Sequence, residues 1–377
     1  MEKILTQKNK PFQPILDTPY YLPCIYPLIT ERLKGEGLEI SPYLLPNINL
    51  LSLPAYQHQA KTRVPSANVW TAEALGFDQA EEILGFKTSM YEFNSESKGL
   101  EFLKSILTQN KLAIVSGTSY FLPYFTSDYL SDSYTNDYAN RHLGIINHFY
   151  GVHGISSNTI SIYDPTPYQY VGDIPMNKFL KSWYGDKGIP CLSEIPGVDS
   201  LYVRGVFEIS EVKPLTSDEL SYIVGQIIRT LSEQYLLGPI IISNKVNGDN
   251  LYFGHSAMKN LITDLRYVDE YYPSSFQQLF KSIFNMRFSR YFLRDFLEDK
   301  ITEYHNFSKV LEELTTIISQ WELVANILMR NTLKPSNKKE NINQALRIMH
   351  SIQIRELNLF ESVYESYKVF PSLKRKS

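Results

Sequence analysis

Near residue 212 the hydrophobic period of the chain changes, and that change limits what it can fold into. Ahead of it, short apolar runs of strand length are mixed with single helical stretches. Behind it, apolar residues recur at helical spacing over long segments. The segment "TSDELSYIVGQIIRTLSEQYLLG" opens with a capping box, Thr216 with Glu219, and closes at Gly238. Further helix-compatible segments run over 274–299, 301–330 and 340–367, with "KPSNKKEN" as the clearest break. The expected fold class is therefore α+β: a mixed front over residues 1–212, then a mainly helical part over 213–377.

Within the front, "CIYPLITERLKGEG" reads as a helix that starts near Cys24 and stops at Gly35 and Gly37. "SKGLEFLKSILTQN" reads as a second helix and "PMNKFLKSWYG" as a short third. "KLAIVSG", "LGIINHFYGVHGI", "TISIYDP" and "LYVRGVFEIS" read as strands. Two of these runs, "FYGVHGI" and "TISIYD", are joined by the turn "SSN" and form a hairpin. His148 heads the first strand and Asp164 ends the second, so both fall at one end of a sheet. A carboxylate beside an imidazole orients the ring and supports its charged form, which directs attention to a nucleophile.

Cys24 is the candidate. It stands at the predicted start of a helix, where the dipole and the unpaired N–H groups favour a thiolate, and Pro23 and Pro27 suit a first turn. Taken singly, a buried thiol is more often a small hydrophobe and a histidine before a strand a structural residue. The order Cys…His…Asp, with His148 124 positions after Cys24, favours the chemical reading. His153 has the opposite parity to His148 and so points to the other sheet face, while His142 lies outside the spacing to Asp164. Cys191, in the loop-like "GIPCLSEIPG", reads as structural or incidental.

Composition narrows the classes. A chain of 377 residues with 43% hydrophobic residues can bury two domain cores. Its net charge of −3 argues against general nucleic-acid affinity. "YLLGPIIIS", the longest apolar stretch, is too short to span a bilayer, and no signal-like segment opens the chain, so a cytoplasmic protein without membrane association is expected. Two cysteines make no disulfide framework. The seven histidines are scattered, with no metal-ligand spacing and no Gly-rich phosphate loop, so no metal and no bound cofactor are expected.

These motifs carry a resemblance. "HFYGVHGISSNTISIYDP" is similar to the His-strand-Gly-turn-strand-Asp-Pro signature of papain-like cysteine enzymes, including the bacteriocin-processing peptidases. The chain as a whole resembles the butirosin biosynthesis protein H family, through "LPCIYPLITERLKGEG", "SGTSYFLPY" and "YFGHSAMKNLITDL". Papain-like enzymes that form amide bonds on a carrier-protein line making polythioamides are a related group. The resemblance covers residues 20–183 and the remainder only loosely.

What it implies is a papain-like domain followed by a helical one, and an acyltransferase of natural-product biosynthesis. Cys24, His148 and Asp164 would carry an acyl group from a thioester on the phosphopantetheine of an acyl or peptidyl carrier protein to a small-molecule amine. One position departs from the pattern: six residues before Cys24, where papain-like peptidases carry an oxyanion-binding glutamine, stands Thr18, and Gln13 lies eleven before. The oxyanion is then expected to be held by the Cys24 N–H with a tyrosine such as Tyr20 or Tyr21. A cysteine peptidase or amidase using the same triad is the alternative, and a non-catalytic scaffold is a third reading.

The helical part adds a partner expectation. Between Phe276 and Arg294 no acidic residue occurs, and Arg287, Arg290 and Arg294 follow i, i+3, i+7 spacing. With Lys281 they would form a basic stripe for docking an acidic carrier protein. The alternative is that they bridge to acids such as Glu298 or Glu303. A homodimer through the helical part is a further expected arrangement.

Overall fold

The computed structural model describes Phe12 and residues 17–58, 65–66, 77–124, 147–184, 205–238, 242–244, 249–267, 283–284, 286–299, 307–333 and 338–371. Cys191, His142, Lys281, Gln13, Glu303 and the break at 334–337 lie outside the described residues. The architecture is α+β. The chain divides into two compact units, Met1–Pro42 with Leu84–Pro214, and Tyr43–Ile83 with Leu215–Ser377.

The first unit is built on a six-stranded antiparallel sheet. In chain order its elements are α1 (Ile25–Gly35), β1 (Lys87–Glu92), α2 (Glu96–Leu107), β2 (Ala113–Thr118), β3 (Asn147–Ile155), β4 (Thr159–Asp164), β5 (Tyr170–Pro175), α3 (Met176–Tyr184) and β6 (Gly205–Ser210). The strand order is β1-β6-β2-β3-β4-β5. Alternating apolar residues of β2 to β5, among them Val115, Tyr150, Val152, Ile160, Ile162 and Ile174, form one core with Leu103 and Ile106 of α2 and Phe179 and Trp183 of α3.

Helix α1 packs on β2, β3 and β6 and is buried along almost its whole length, Arg32 and Glu31 included. A charged residue so placed needs partners. Arg32 has three: Glu36, Glu208 at 3.7 Å, and the carbonyl of Ile209 at 3.1 Å. Lys111 also reaches Glu36, at 2.8 Å. The helix ends in a Schellman turn: Gly37 takes φ +90°, and the N–H groups of Leu38 and Gly37 return to the carbonyls of Leu33 and Lys34. The C-terminal half of α1 is thus fixed to the sheet, and its N-terminal end is held in a set orientation.

The second unit is mostly helical: α4 (Ser217–Leu236), α5 (Gly254–Arg266), α6 (Phe288–Glu298), α7 (Ser308–Leu333) and α8 (Lys338–Tyr367). The capping box of α4 is formed, Thr216 and Glu219 exchanging both bonds. A small sheet accompanies these helices, and here the expected division needs correction. Strand Ala55–His58 pairs antiparallel with Asp249–Phe253, Ala55 facing Phe253 and Tyr56 facing Tyr252, so Tyr43–Ile83 belongs with the C-terminal part rather than with a continuous 1–212 front. No pattern within either segment could reveal that pairing, because the two strands lie about two hundred residues apart. Among the described residues no helix is long and apolar enough to cross a membrane.

Candidate active site

Three short pieces of the first unit meet at one end of the sheet. The first is the head of α1, where Cys24 takes the N-cap position in helical geometry (φ −54°, ψ −31°), forms no side-chain cap, and is a half-buried free thiol. The second is the start of β3, with His148 opposite Gly117 of β2. That glycine matters locally: a Cβ on it would stand 2.9 Å from the Ser182 carbonyl of α3 and 3.0 Å from the Tyr150 hydroxyl. The third piece is the end of β4, with Asp164 wholly buried.

His148 Nε2 lies 2.8 Å from Asp164 Oδ2. A one-residue irregularity makes this contact geometrically open. Near the turn, β3 and β4 pair Ile155 with Ile160 and Gly154 with Ser161; beyond a bulge at His153 they pair Val152 with Ile162 and Gly151 with Tyr163. Were the first register continued, Asp164 would face Gly151 and lie on the sheet face opposite His148. The bulge shifts the register by one, so His148, Tyr150 and Asp164 share a face. His153, the extra residue, packs instead against Phe12, with ring centroids 5.1 Å apart. Burial pushes its imidazole below the ordinary histidine range.

Burial alone would lower the His148 imidazole as well. The Asp164 carboxylate, and then Cys24 at hydrogen-bond range, outweigh it and raise the ring to about 10. With Nε2 committed to Asp164, Nδ1 is the nitrogen that serves the sulfur. The raised ring favours its charged form between Asp164 and Cys24.

Five residues that sequence reasoning missed complete the surroundings. Tyr124 donates its hydroxyl to the same Oδ2 of Asp164 at 2.9 Å. Its ring stacks on Tyr170 at 3.9 Å, and Tyr168 stands edge-on to His148 at 5.7 Å. Thr166, two residues past Asp164, donates to the Leu22 carbonyl at 3.1 Å, and Gln169 Nε2 to the Thr18 carbonyl at 2.9 Å. These two bonds fasten the loop that delivers Cys24 to the loop that follows Asp164. Tyr124 was legible in principle. It closes "SGTSYFLPY", and a segment leaving β2 emerges where its antiparallel neighbour β3 begins.

Of the tyrosines expected at an oxyanion site, Tyr20 is 63% exposed, and its ring is edge-on to Tyr21 at 5.5 Å. The basic stripe requires correction. Arg290 is 2% exposed and paired with Glu356, so it cannot meet a docking protein. Arg287 lies over the Phe284 ring at 3.7 Å, and Arg294 pairs with Asp295 at 2.7 Å and with Glu298 at 3.9 Å. The apolar residues around Arg290 bury that face of α6 in the helical core, and a buried guanidinium needs a carboxylate. Among the described residues no group of three or more His, Cys, Asp or Glu side chains is arranged to hold a metal ion.

The chain matches no protein-family model, and no curated protein matches it.

Proposed function

We propose that this protein is a papain-like, cysteine-dependent acyltransferase that forms amide bonds in natural-product biosynthesis. The observation that supports it is His148 held between buried Asp164 and Cys24 at the head of a helix, a setting that raises its imidazole. The donor is an acyl thioester on the phosphopantetheine of an acyl or peptidyl carrier protein, the acceptor a small-molecule amine, and the setting the cytoplasm.

The Cys24 thiolate attacks the thioester carbonyl. As the tetrahedral centre collapses, the carbonyl-to-sulfur bond of the donor breaks, and the leaving thiolate takes the proton of the His148 imidazolium. The amine then attacks the acyl-enzyme, neutral His148 accepts its proton, and Cys24 leaves as the thiolate. Net, a thioester and an amine become an amide and a free carrier thiol. Asp164 keeps the ring oriented with Nδ1 towards sulfur and stabilises its charged form. The Cys24 N–H, in a first helical turn whose N–H groups have no intrahelical acceptors, is one donor to the oxyanion. Thr18 in place of a glutamine favours a thioester, which is easier to attack than a peptide bond, over the peptidase reading.

Intact-protein mass spectrometry after incubation with an acyl-loaded carrier protein tests this. Wild type should gain the acyl mass on Cys24 and lose it to an amine. Cys24→Ala should gain nothing. Acyl-enzyme that passes only to water, with no amide under any amine, would favour the amidase reading.

A further inference from the structure

Asp164 Oδ2 receives two donors, His148 Nε2 and the Tyr124 hydroxyl, while Oδ1 is buried without a hydrogen-bond partner among the described residues. Both hydrogen bonds therefore fall on one oxygen, and the carboxylate is shared between an imidazole and a phenol. We propose that Tyr124 is a positioning residue that locks the Asp164 carboxylate and draws off part of its charge, leaving the His148 imidazolium acidic enough to give up its proton. This rests on the reading of Cys24 and His148 as a reactive pair.

The argument is one of competing demands. Without a carboxylate the buried ring would not stay charged beside the thiol. With an undivided carboxylate it would hold its proton too firmly to pass it to a leaving thiolate. A phenol on the same oxygen moderates that pull, and Tyr124 keeps its own proton because burial and then the Asp164 charge push its ionisation well above the usual tyrosine range. Stacking on Tyr170 fixes the Tyr124 ring. Among the described residues, Cys24, Tyr150, whose hydroxyl is 3.0 Å from Ser182 Oγ, and the Tyr168 ring also face His148.

Tyr124→Phe removes the hydroxyl and keeps the ring. The titration of His148 is followed by NMR of histidine-labelled protein in a Cys24→Ser background, its signal assigned by loss in His148→Gln. Adding Tyr124→Phe should move the titration upward by about one pH unit, the size expected for losing one hydrogen bond to a charged group. In the Cys24 protein the same change should slow acyl loading roughly tenfold, one unit of proton affinity being a factor of ten. A merely structural tyrosine would loosen Asp164 and move the titration downward. A downward or absent shift overturns the proposal. An upward shift in a protein that never loads an acyl group would leave the charge-sharing role standing and reject the acyl-transfer reading.

Discussion

The two units each bury a carboxylate and surround it in nearly the same way. Asp164 in the first unit accepts from a cationic side chain, His148, and from a tyrosine, Tyr124. Glu356 in the second accepts from Arg290, from Tyr235 at 2.9 Å and from Trp321 at 3.2 Å. The difference lies in the cation and in what stands behind it. A guanidinium holds its proton at any pH at which proteins fold, and Arg290 is enclosed by helices α4, α6, α7 and α8. An imidazole can exchange its proton, and His148 has a half-buried thiol on its far side. One arrangement ties four helices together; the other can move a proton. Burying a carboxylate with a cation and a phenol is therefore no sign of chemistry by itself. A titratable cation beside a nucleophile is.

The comparison breaks most sharply at the cation. His148→Ala should lower the rate of Cys24 alkylation by iodoacetamide at neutral pH, and of acyl loading, by about 10²- to 10⁴-fold, the usual range for a lost acid-base group. Circular dichroism should be unchanged. Rates within a factor of two of wild type would place His148 with Arg290, as a structural partner.

On the other side, Glu356→Ala leaves Arg290 as a buried charge without its partner. Unfolding free energy by urea titration should fall by roughly 3–5 kcal/mol, the penalty for breaking a buried pair from one side. The alkylation rate of Cys24 in the folded fraction should stay near wild type, since Cys24, His148 and Asp164 all belong to the first unit. A fall in alkylation matching that of His148→Ala would show that the two arrangements are not separate in function.

Acidity separates them more finely. Folding raises His148 from about 6.5 to about 10, so its charged form is favoured in the folded state. The stability it contributes is present in full below about pH 6.5 and is lost as pH rises through about 10. The gap in stability between wild type and His148→Gln should accordingly narrow over that interval. The Glu356 group should show no such change there, because a guanidinium does not titrate in it and Tyr235 is pushed well above the usual tyrosine range by burial and by Glu356. A gap that stays constant from pH 6.5 to 10 would mean that His148 is not charged in the folded protein.

How much of this could be read from the chain follows from the range of each interaction. The helix behind Cys24 and the capping box of α4 are local, set by glycines and by a Thr-x-x-Glu spacing, and they stand where the residues put them. The His148–Asp164 juxtaposition was legible as a hairpin, but two strand ends at one edge of a sheet need not put both side chains on one face. The bulge that brings the two side chains to one face is a property of the pairing, with His153 and Gly154 as its only trace. Tyr124 and Thr166 act across distances of 40 and 144 residues, which no periodicity encodes. The strand at Ala55–His58 was missed for the same reason. The arginine spacing was real, yet spacing cannot say which side of a helix faces a core, and the apolar neighbours of Arg290 turned it inward.

The smallest expected effect tests that last point within a single helix. Arg290 and Arg294 are one turn apart on α6, yet the first is enclosed and the second partly exposed. Arg294 reaches Asp295, its sequence neighbour, and Glu298 one turn on, and its guanidinium lies 5.1 Å from the Tyr291 ring centre. Ion pairs with solvent access are screened and fix long side chains, so they contribute little. Arg294→Ala should therefore change the unfolding free energy by less than about 1 kcal/mol, where Arg290→Ala, which strands Glu356, should lose about 3 kcal/mol or more. The same variant addresses what remains of the docking surface. If Arg294 meets an acidic carrier protein, loading from the carrier should weaken and lose part of its salt dependence, while a small-molecule thioester is used as before. Equal loss on both donors would assign Arg294 to the fold, with its neighbour one turn away.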